Sequence, residues 1–359
     1  MKRVLVSCLL TVVTLVAFPG AAAAKAKHPK GVKIRSVVVT FTVRNTDTSQ
    51  FACASDGATY QVKGHITGPA SVVASASKKK RKRPKGATLY LHGLGVGEWL
   101  WYFPAVPSFN YALQQARTGH VSVTVDRLGY GVSSRPPDGG KVCIGSEADV
   151  AHQIVQALKS GSYTVGSGTP RKYRRIALAG HSAAGEISVL EAYSYRDVSA
   201  LIVVAFSFSN LAAANITFGN QRNACMASTP VPGFPPGYQL FGATPAEFEK
   251  TFFHSATSAV RAAATPLHKP DPCGDNISLT EALNKQAAGA RKIKVPALVI
   301  CGANDVLYAP FGCELQADRF ASRDKKTIII RNAGHGLPLE KPARTFRGKL
   351  GSWLSRRGF

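Results

Sequence analysis

A series of short, almost uniformly apolar segments constrains the fold of this chain more than any other feature. They lie at 87–93, 121–129, 174–180, 198–208, 295–302 and 325–334. Segments with a helical pattern alternate with them, at 146–161, 183–195, 311–320 and 339–356. Strands that are apolar on both sides are typical of a parallel sheet covered by helices on both faces. We therefore predict an α/β fold with a mostly parallel central sheet.

Two further regions complete the predicted architecture. The segments 33–45 and 58–68 are rich in β-branched residues with partial alternation, which predicts an N-terminal antiparallel hairpin. The long stretch 210–293, rich in Pro, Gly and Phe, exceeds an ordinary crossover. We expect it to be a cap inserted over the carboxyl edge of the sheet, between core parts 25–209 and 294–359.

The first residues have the pattern of a secretory signal peptide. Lys2 and Arg3 precede an apolar run that ends in small residues and an alanine cleavage pattern. The run from Val4 to Phe18 is short for a membrane span, so an uncleaved anchor is the less favoured alternative. We predict that residues 1–24 are removed and that the protein is secreted or otherwise extracytoplasmic.

Six cysteines remain after that cleavage, and an even number in an exported protein predicts disulfides. The sequence does not choose among the possible pairings. Nearest neighbours are the expectation: Cys53–Cys143, Cys225–Cys273 and Cys301–Cys313. The last pair has the weakest support, because Cys301 ends a very apolar strand and also fits a plain buried thiol. Since no two cysteines have the Cys-x-x-Cys spacing, no zinc site is predicted.

The formal net charge is +25, and the densest basic run is Lys78–Lys85, with seven basic residues in eight positions. The run has no interleaved aromatic residues and belongs to a chain predicted to leave the cytoplasm. Specific nucleic-acid binding is therefore not expected. A solvated loop, and weak contact with an anionic polymer or the cell envelope, both remain open.

Three chemically complementary residues follow three of the predicted strands. Ser182 follows the strand at 174, Asp305 the strand at 295 and His335 the strand at 325. In an open α/β sheet the ligand lies at the carboxyl ends of the strands. A serine hydroxyl becomes nucleophilic when an imidazole takes its proton, and a carboxylate orients that imidazole. The order predicts a Ser-His-Asp triad.

The negative charge of an acyl-transfer intermediate needs two preorganised donors. One predicted donor is the backbone N–H of Ala183, the first residue of the helix after Ser182. The other is the N–H of Leu94, in the loop after the strand at 87. Gly93 and Gly95 flank Leu94 and allow that backbone to approach a ligand closely.

These pieces together resemble the α/β-hydrolase superfamily from about residue 87 to the C-terminus. The matching segments are "LHGLG", "DRLGYGVSS", "GHSAAG", "PALVICGANDVL" and "NAGHGLPLEKP". The resemblance implies Ser182 as nucleophile, Asp305 as acid and His335 as base, with Leu94 and Ala183 as oxyanion donors and no metal or organic cofactor. The sequence departs from the Gly-x-Ser-x-Gly pattern at Ala184, and Gly185 comes one residue late.

The predicted activity is hydrolysis of carboxylic esters, with a small-molecule or lipid-like ester as substrate. Serine at 182 argues against reactions like those of epoxide hydrolases and dehalogenases, which need an aspartate there. Thioester, amide or carbon–carbon bond cleavage on the same triad remains an alternative, as does a binding or adhesion protein on this fold. Ser182 as a plain helix N-cap and Asp305 as a turn cap are the structural alternatives. Trp99, Phe248 and their aromatic neighbours fit either an acyl pocket or a packed core.

Overall fold

The strands are short, and most lie where the apolar segments predict them. In chain order they are β1 (Ile34–Arg44), β2 (Thr59–Pro69), β3 (Gly86–Leu91), β4 (Ser122–Val125), β5 (Thr164–Val165), β6 (Arg175–His181), β7 (Ala200–Val204), β8 (Tyr238–Gln239), β9 (Asp271–Pro272), β10 (Ala297–Gly302) and β11 (Lys325–Ile330). The helices are α1 (Ala70–Val73), α2 (Tyr111–Ala116), α3 (Ile144–Ser160), α4 (Ala183–Ser194), α5 (Ala212–Met226), α6 (Pro245–Phe252), α7 (Ser258–Ala264), α8 (Cys273–Ala290), α9 (Pro310–Asp318) and α10 (Ala343–Ser355).

The structure is a computed structural model that describes residues 32–73, 86–166, 168–208 and 212–359. The predicted signal peptide, residues 1–24, and the basic run, Lys78–Lys85, lie outside these residues. Among the helices that are described, none combines the length and apolar character needed to cross a membrane.

One large sheet organises the described residues, with its strands in the order β11-β10-β7-β6-β3-β4-β2-β1-β5. The strands from β11 to β4 are parallel to one another. β2 joins β4 antiparallel and forms the predicted hairpin with β1, in the register Ile34↔Pro69 to Arg44↔Thr59. The prediction of a mostly parallel sheet with an N-terminal antiparallel hairpin is confirmed.

The parallel strands bury both faces, and successive side chains show this directly. Leu89 and Leu91 of β3 belong to one apolar cluster with Val150 of α3. Tyr90, between them, points to the other face and belongs to a second cluster with Phe346 of α10. Because each face needs apolar residues, the period-two alternation of a half-exposed strand disappears. In β1 the alternation survives at its centre, since Val37 and Val39 are buried whereas Val38 is half exposed.

Two local features differ from the prediction. The pattern predicts that α3 opens at Ser146, but it begins at Ile144, and Ser146 Oγ accepts a hydrogen bond from Cys143 N at 3.1 Å. Asp149 does not take part in capping the helix, because its Oδ2 accepts a hydrogen bond from Thr48 N at 2.9 Å. The short helix α2, between β3 and β4, has too few residues for a 3.6-residue period to be visible.

The predicted cap interval, 210–293, contains α5, β8, α6, α7, β9 and α8. α8 packs against α3 and α4, which cover one face of the sheet. Residues Val32–Phe359 cluster as one compact unit. The division into core and cap stays a prediction.

Three disulfides occur in the described part of the chain, and their partners are the predicted nearest neighbours. Cys53–Cys143 ties the loop after β1 to the start of α3. Cys225–Cys273 ties the end of α5 to the start of α8. Cys301–Cys313 ties β10 to α9, so Cys301 is not a free buried thiol.

We expect reduction of these bonds to lower the melting temperature. A closed loop restricts the unfolded chain, and each bond contributes about 2–4 kcal/mol. Thiol titration of denatured, unreduced, processed protein should find no free thiol, and peptide mapping should recover the three pairs. Six free thiols in exported material would contradict the assignment.

Candidate active site

Ser182 lies on a sharp turn between β6 and α4, in a strained backbone conformation. Its φ is 55° and its ψ is −128°, so its φ lies in the left-handed region that non-glycine residues rarely adopt. Such strain persists only where the surroundings hold it, and it is concentrated at functional sites. Ser182 N donates to Val204 O of β7 at 2.9 Å, which fixes the turn to the neighbouring strand.

Glycines make this turn possible by permitting close backbone approaches. A Cβ at Gly180 would lie 1.8 Å from Ala184 O, so α4 can fold back over β6 only above a glycine. A Cβ at Gly93 would lie 2.6 Å from Ser182 Cβ, so the loop after β3 can lie directly against Ser182. Gly185, one position later than the familiar pattern, fits against Phe206. Ala184 is fully buried at this turn, and its carbonyl oxygen is the atom that a side chain at Gly180 would meet.

Asp305 and His335 form a buried hydrogen-bonded pair. His335 Nδ1 lies 2.9 Å from Asp305 Oδ2, and both side chains are almost fully buried. Asp305 Oδ1 accepts from Leu307 N at 2.8 Å, which orients the carboxylate in the loop after β10. With Nδ1 engaged by the carboxylate, Nε2 of His335 is left for another partner.

The ends of β6 and β11 are joined beside this pair. His181, which precedes Ser182, has its Nε2 2.9 Å from the carbonyl oxygen of His335. The rings of His181 and His335 lie 4.6 Å apart, and the ring of Tyr308 stacks beside His335 at 5.9 Å. Burial, together with the nearby His335, holds the pKa of His181 well below its usual value. His181 therefore acts as a neutral spacer between the two strand ends.

The loop His92–Gly95, here called the oxyanion loop, is held from both sides. His92 Nδ1 lies 2.9 Å from Gly93 O, and His92 Nε2 accepts from Arg127 N at 3.0 Å. Gly95, with φ +69°, donates its N–H to Asp271 Oδ1 and Oδ2 at 2.8 and 2.9 Å. Leu94 lies between these two anchors. Ala183 begins α4, where the first amides of a helix have no intrahelical acceptor.

Two buried carboxylates at this site escaped the sequence analysis. Glu340 Oε1 accepts from His254 N at 2.7 Å and from Gly334 N at 3.2 Å, so it fastens the His335 loop to the end of α6. Its position in "HGLPLEKP", close after His335, was the available signal. Asp271 had a weaker signal, namely its place two residues before Cys273.

Asp271 is fully buried beside a charged cluster. Arg127 Nη1 lies 3.0 Å from Glu147 Oε1 and 2.9 Å from Asp275 Oδ2. Burial raises the pKa of Asp271 to about 8, against the opposing effects of the Gly95 amide, Arg127 and Gln221. Burial likewise raises the pKa of Glu147. This cluster ties the loop after β4 to α3 and α8.

A cavity of about 470 Å³ opens between α5 and α6 and reaches Val306, the neighbour of Asp305. Ligand pockets usually measure several hundred Å³ and mix apolar walls with a few polar groups. The lining residues include Ile216, Ala224, Leu240, Gln221 and Lys250. The predicted aromatic candidates are not among the described residues that line it. Phe248 and Phe252 stack on each other at 5.1 Å, as part of a packed core.

Another polar cluster has ligand atoms close enough for a metal ion but already has partners. His152, Glu191 and Asp197 place ligand atoms within 4.8 Å of one another. His152 Nδ1 lies 3.0 Å from Asp197 Oδ2, and Lys159 Nζ lies 3.7 Å from the same oxygen. The lysine supplies positive charge there, and we assign this cluster no part in the site.

Comparison with solved structures gives the same fold at low sequence identity. A thermophilic esterase from Thermogutta terrifontis matches with a TM-score of 0.60 and 17% identity, over 89% of this chain and 100% of that one. A monoacylglycerol lipase from Paleococcus ferrophilus gives 0.56 and 16%, over 76% and 95%. A bromoperoxidase from Bacillus anthracis gives 0.57 and 15%, over 88% and 99%. These likenesses are similarities of fold.

A search of curated proteins finds no sequence that matches this chain. The model of the alpha/beta hydrolase family matches residues 89–347, which include the second half of β3, β4 to β11 and all five predicted site residues. The chain belongs to the α/β-hydrolase family.

Proposed function

We propose that this hydrolase is an exported serine esterase that cleaves carboxylic esters through an acyl-enzyme on Ser182. His335 acts as general base and acid, and Asp305 orients it. The N–H groups of Leu94 and Ala183 bind the oxyanion. The observation that carries the proposal is the strained backbone of Ser182 on its strand-to-helix turn, since such strain is concentrated at functional sites.

In the first half-reaction, Ser182 Oγ attacks the ester carbonyl carbon and its proton passes to Nε2 of His335. Asp305 stabilises the imidazolium through Nδ1. The two N–H groups receive the negative charge of the tetrahedral intermediate. When the intermediate collapses, the C–O bond to the alcohol breaks and the alcohol leaves with the proton from His335.

In the second half-reaction, His335 takes a proton from water, and the water oxygen attacks the acyl carbon. The new tetrahedral intermediate uses the same two donors. Its collapse releases the carboxylic acid and returns the proton to Ser182 Oγ. The chemistry consumes one water and is redox-neutral.

The cavity at Val306 supports a small-molecule or lipid-like ester as substrate. Its volume suits such a ligand, and Val306, which lines it, directly follows Asp305 in sequence, while Ser182, Asp305 and His335 are not among its described lining residues. The family also contains enzymes that act on other bonds, so thioester, amide or carbon–carbon cleavage is the competing proposal. The three disulfides support an extracytoplasmic location, because such bonds persist in oxidising compartments.

Replacing Ser182 with alanine should lower ester turnover by about three or more orders of magnitude, and His335→Ala should do the same. Asp305→Ala should have a smaller effect, since it removes only the orienting group. Turnover is measured on p-nitrophenyl esters of increasing acyl length, together with labelling by a fluorophosphonate probe. Ser352→Ala, on the exposed face of α10, is the matched control and should label fully. Near-wild-type turnover by Ser182→Ala would refute the assignment.

A second function, weak contact with an anionic polymer, is supported by a groove between α2 and α10. The groove encloses about 940 Å³ and is lined by Arg117, Arg344, Arg347 and Arg356, with no carboxylate among its described lining residues. Burial, together with Arg344 and Arg117, lowers the pKa of Arg347. A guanidinium among like charges favours an anion. This groove supplies basic residues in addition to those of the sequence run Lys78–Lys85, which lies outside the described residues.

Binding to inorganic polyphosphate should weaken steeply as salt rises, because screening removes the attraction. The variant Arg344→Ala with Arg347→Ala should bind at least about fivefold more weakly at low salt. The variant Lys285→Ala with Lys292→Ala removes the same charge from exposed positions elsewhere and should bind almost as well as wild type. Equal losses in the two variants would show that net charge, and not the groove, sets the affinity.

A further inference from the structure

The oxyanion loop is anchored by a carboxylate from a distant part of the chain. Asp271 lies in β9, far in sequence from Gly95, yet both of its oxygens accept the Gly95 N–H. Asp271 and Gln221 are both almost fully buried. Leu94, the proposed oxyanion donor, is the residue directly before Gly95. A shift of the Gly95 amide therefore moves the Leu94 peptide as well.

Asp271 is itself held in place by α5. Gln221 Nε2 donates to Asp271 Oδ2 at 3.0 Å and to Gln239 O at 3.0 Å. Gln239 pairs with Asp271 in the β8–β9 ladder. Asn276 Nδ2 donates to Gln221 Oε1 at 2.8 Å, which fixes the orientation of the Gln221 amide.

A disulfide closes this arrangement. Cys225 lies one helical turn after Gln221 in α5, and Cys273 lies two residues after Asp271. The Cys225–Cys273 bond, with a Cα–Cα distance of 5.5 Å, therefore joins α5, which carries Gln221, to the residue directly after β9, which carries Asp271. We call Gln221, Asp271 and this disulfide the clamp.

We infer that the clamp positions the oxyanion loop for catalysis, so that the Cys225–Cys273 disulfide contributes to turnover and not only to stability. The inference rests on the proposed function. An oxyanion donor must lie about 2.7–3.1 Å from the oxyanion, so a small displacement is enough to weaken it. Asp271 is a positioning residue, since it acts through the Gly95 peptide and not on the substrate.

The first test compares two variants that keep the number of side-chain heavy atoms of aspartate. Asp271→Leu removes the acceptor for Gly95 N–H and should lower kcat at least about tenfold, with KM within about threefold. Asp271→Asn keeps one oxygen for that amide and should recover most of kcat. The Ki of a trifluoromethyl ketone, whose adduct carries an oxyanion, should rise in Asp271→Leu by the same factor as kcat/KM falls. Unchanged kcat in a folded Asp271→Leu protein would overturn the inference.

The second test is a double-mutant cycle with the disulfide. Cys225→Ser with Cys273→Ser should lower kcat in the same direction, and adding Asp271→Leu should cause little further loss, because both act through one loop. Cys53→Ser with Cys143→Ser is the matched control and should lower stability while leaving kcat near wild type. Fully additive losses would refute the coupling.

If Asp271→Leu does not fold, a further variant tests the same clamp. Gln221→Met removes the Nε2 donor to Asp271 and should lower kcat by a smaller factor, with a parallel rise in the Ki of the trifluoromethyl ketone. An unchanged kcat in Gln221→Met would also refute the inference.

These results separate the two proposals. If Ser182→Ala hydrolyses esters like wild type, the proposed function fails. If wild type is active through Ser182 but the folded Asp271→Leu variant keeps its kcat, the clamp alone fails.

A measurement without turnover checks the burial of Asp271. Its pKa is raised by burial to about 8 in the folded protein, from about 3.9 in the unfolded chain. Protonation thus stabilises the fold, and this contribution is lost as pH rises from about 4 to 8. Arg127, Asp275 and Tyr130 are the charged or titratable neighbours coupled to it. Asp271→Asn stays neutral, so the melting temperature of this variant should rise relative to that of wild type as pH increases from about 4 to 8. Parallel pH curves would show that the pKa of Asp271 is not raised on folding.

Discussion

The candidate active site depends on one steric condition, namely that three backbone segments touch around Ser182. The turn brings α4 back over β6 at Gly180, and the oxyanion loop reaches Ser182 at Gly93. A methyl group at either glycine would overlap with an atom less than 3 Å away, so the segments would separate. A close-packed interior has little free space in which neighbouring atoms could move to accommodate the added methyl group. The positive φ of Ser182 is the strain that this convergence imposes.

Buried polar side chains anchor the loops around this point. His92 links the oxyanion loop to Arg127, Asp271 links it to β9, and Glu340 links the His335 loop to α6. Each anchor is a side chain that accepts backbone N–H bonds in a dry environment. Such bonds are strong where water is excluded, and leaving one unmade costs about 1–3 kcal/mol.

Much of this arrangement could be predicted from the sequence, because it follows from local patterns. Uniform apolarity of the strands predicts the parallel sheet, and the even cysteine number predicts disulfides. The polar residues that follow β6, β10 and β11 are placed at one edge by topology alone. Asp305 and His335 are found as a hydrogen-bonded pair there. The short α2 and the true start of α3 were missed, because a six-residue helix has little periodicity and Asp149 serves a long-range contact with Thr48.

The anchors could not be predicted for a related reason. Asp271 and Gln221 belong to no recognisable local sequence pattern. Their hydrogen-bond partners are distant in sequence: Asp271 binds the oxyanion loop, and Gln221 binds Asp271 in β9. In the sequence, an isolated aspartate beside a proline looks like a turn residue. Only the folded chain shows that Asp271 is buried and that its carboxylate accepts a hydrogen bond from the Gly95 N–H, next to the proposed oxyanion donor. The predicted catalytic residues could be recognised because their chemical types follow strand ends. The residues proposed to position them could be recognised only from tertiary contacts. The Cys225–Cys273 disulfide, which lies beside the Gln221–Asp271 hydrogen bond, is the one part of the clamp that the cysteine pattern predicted.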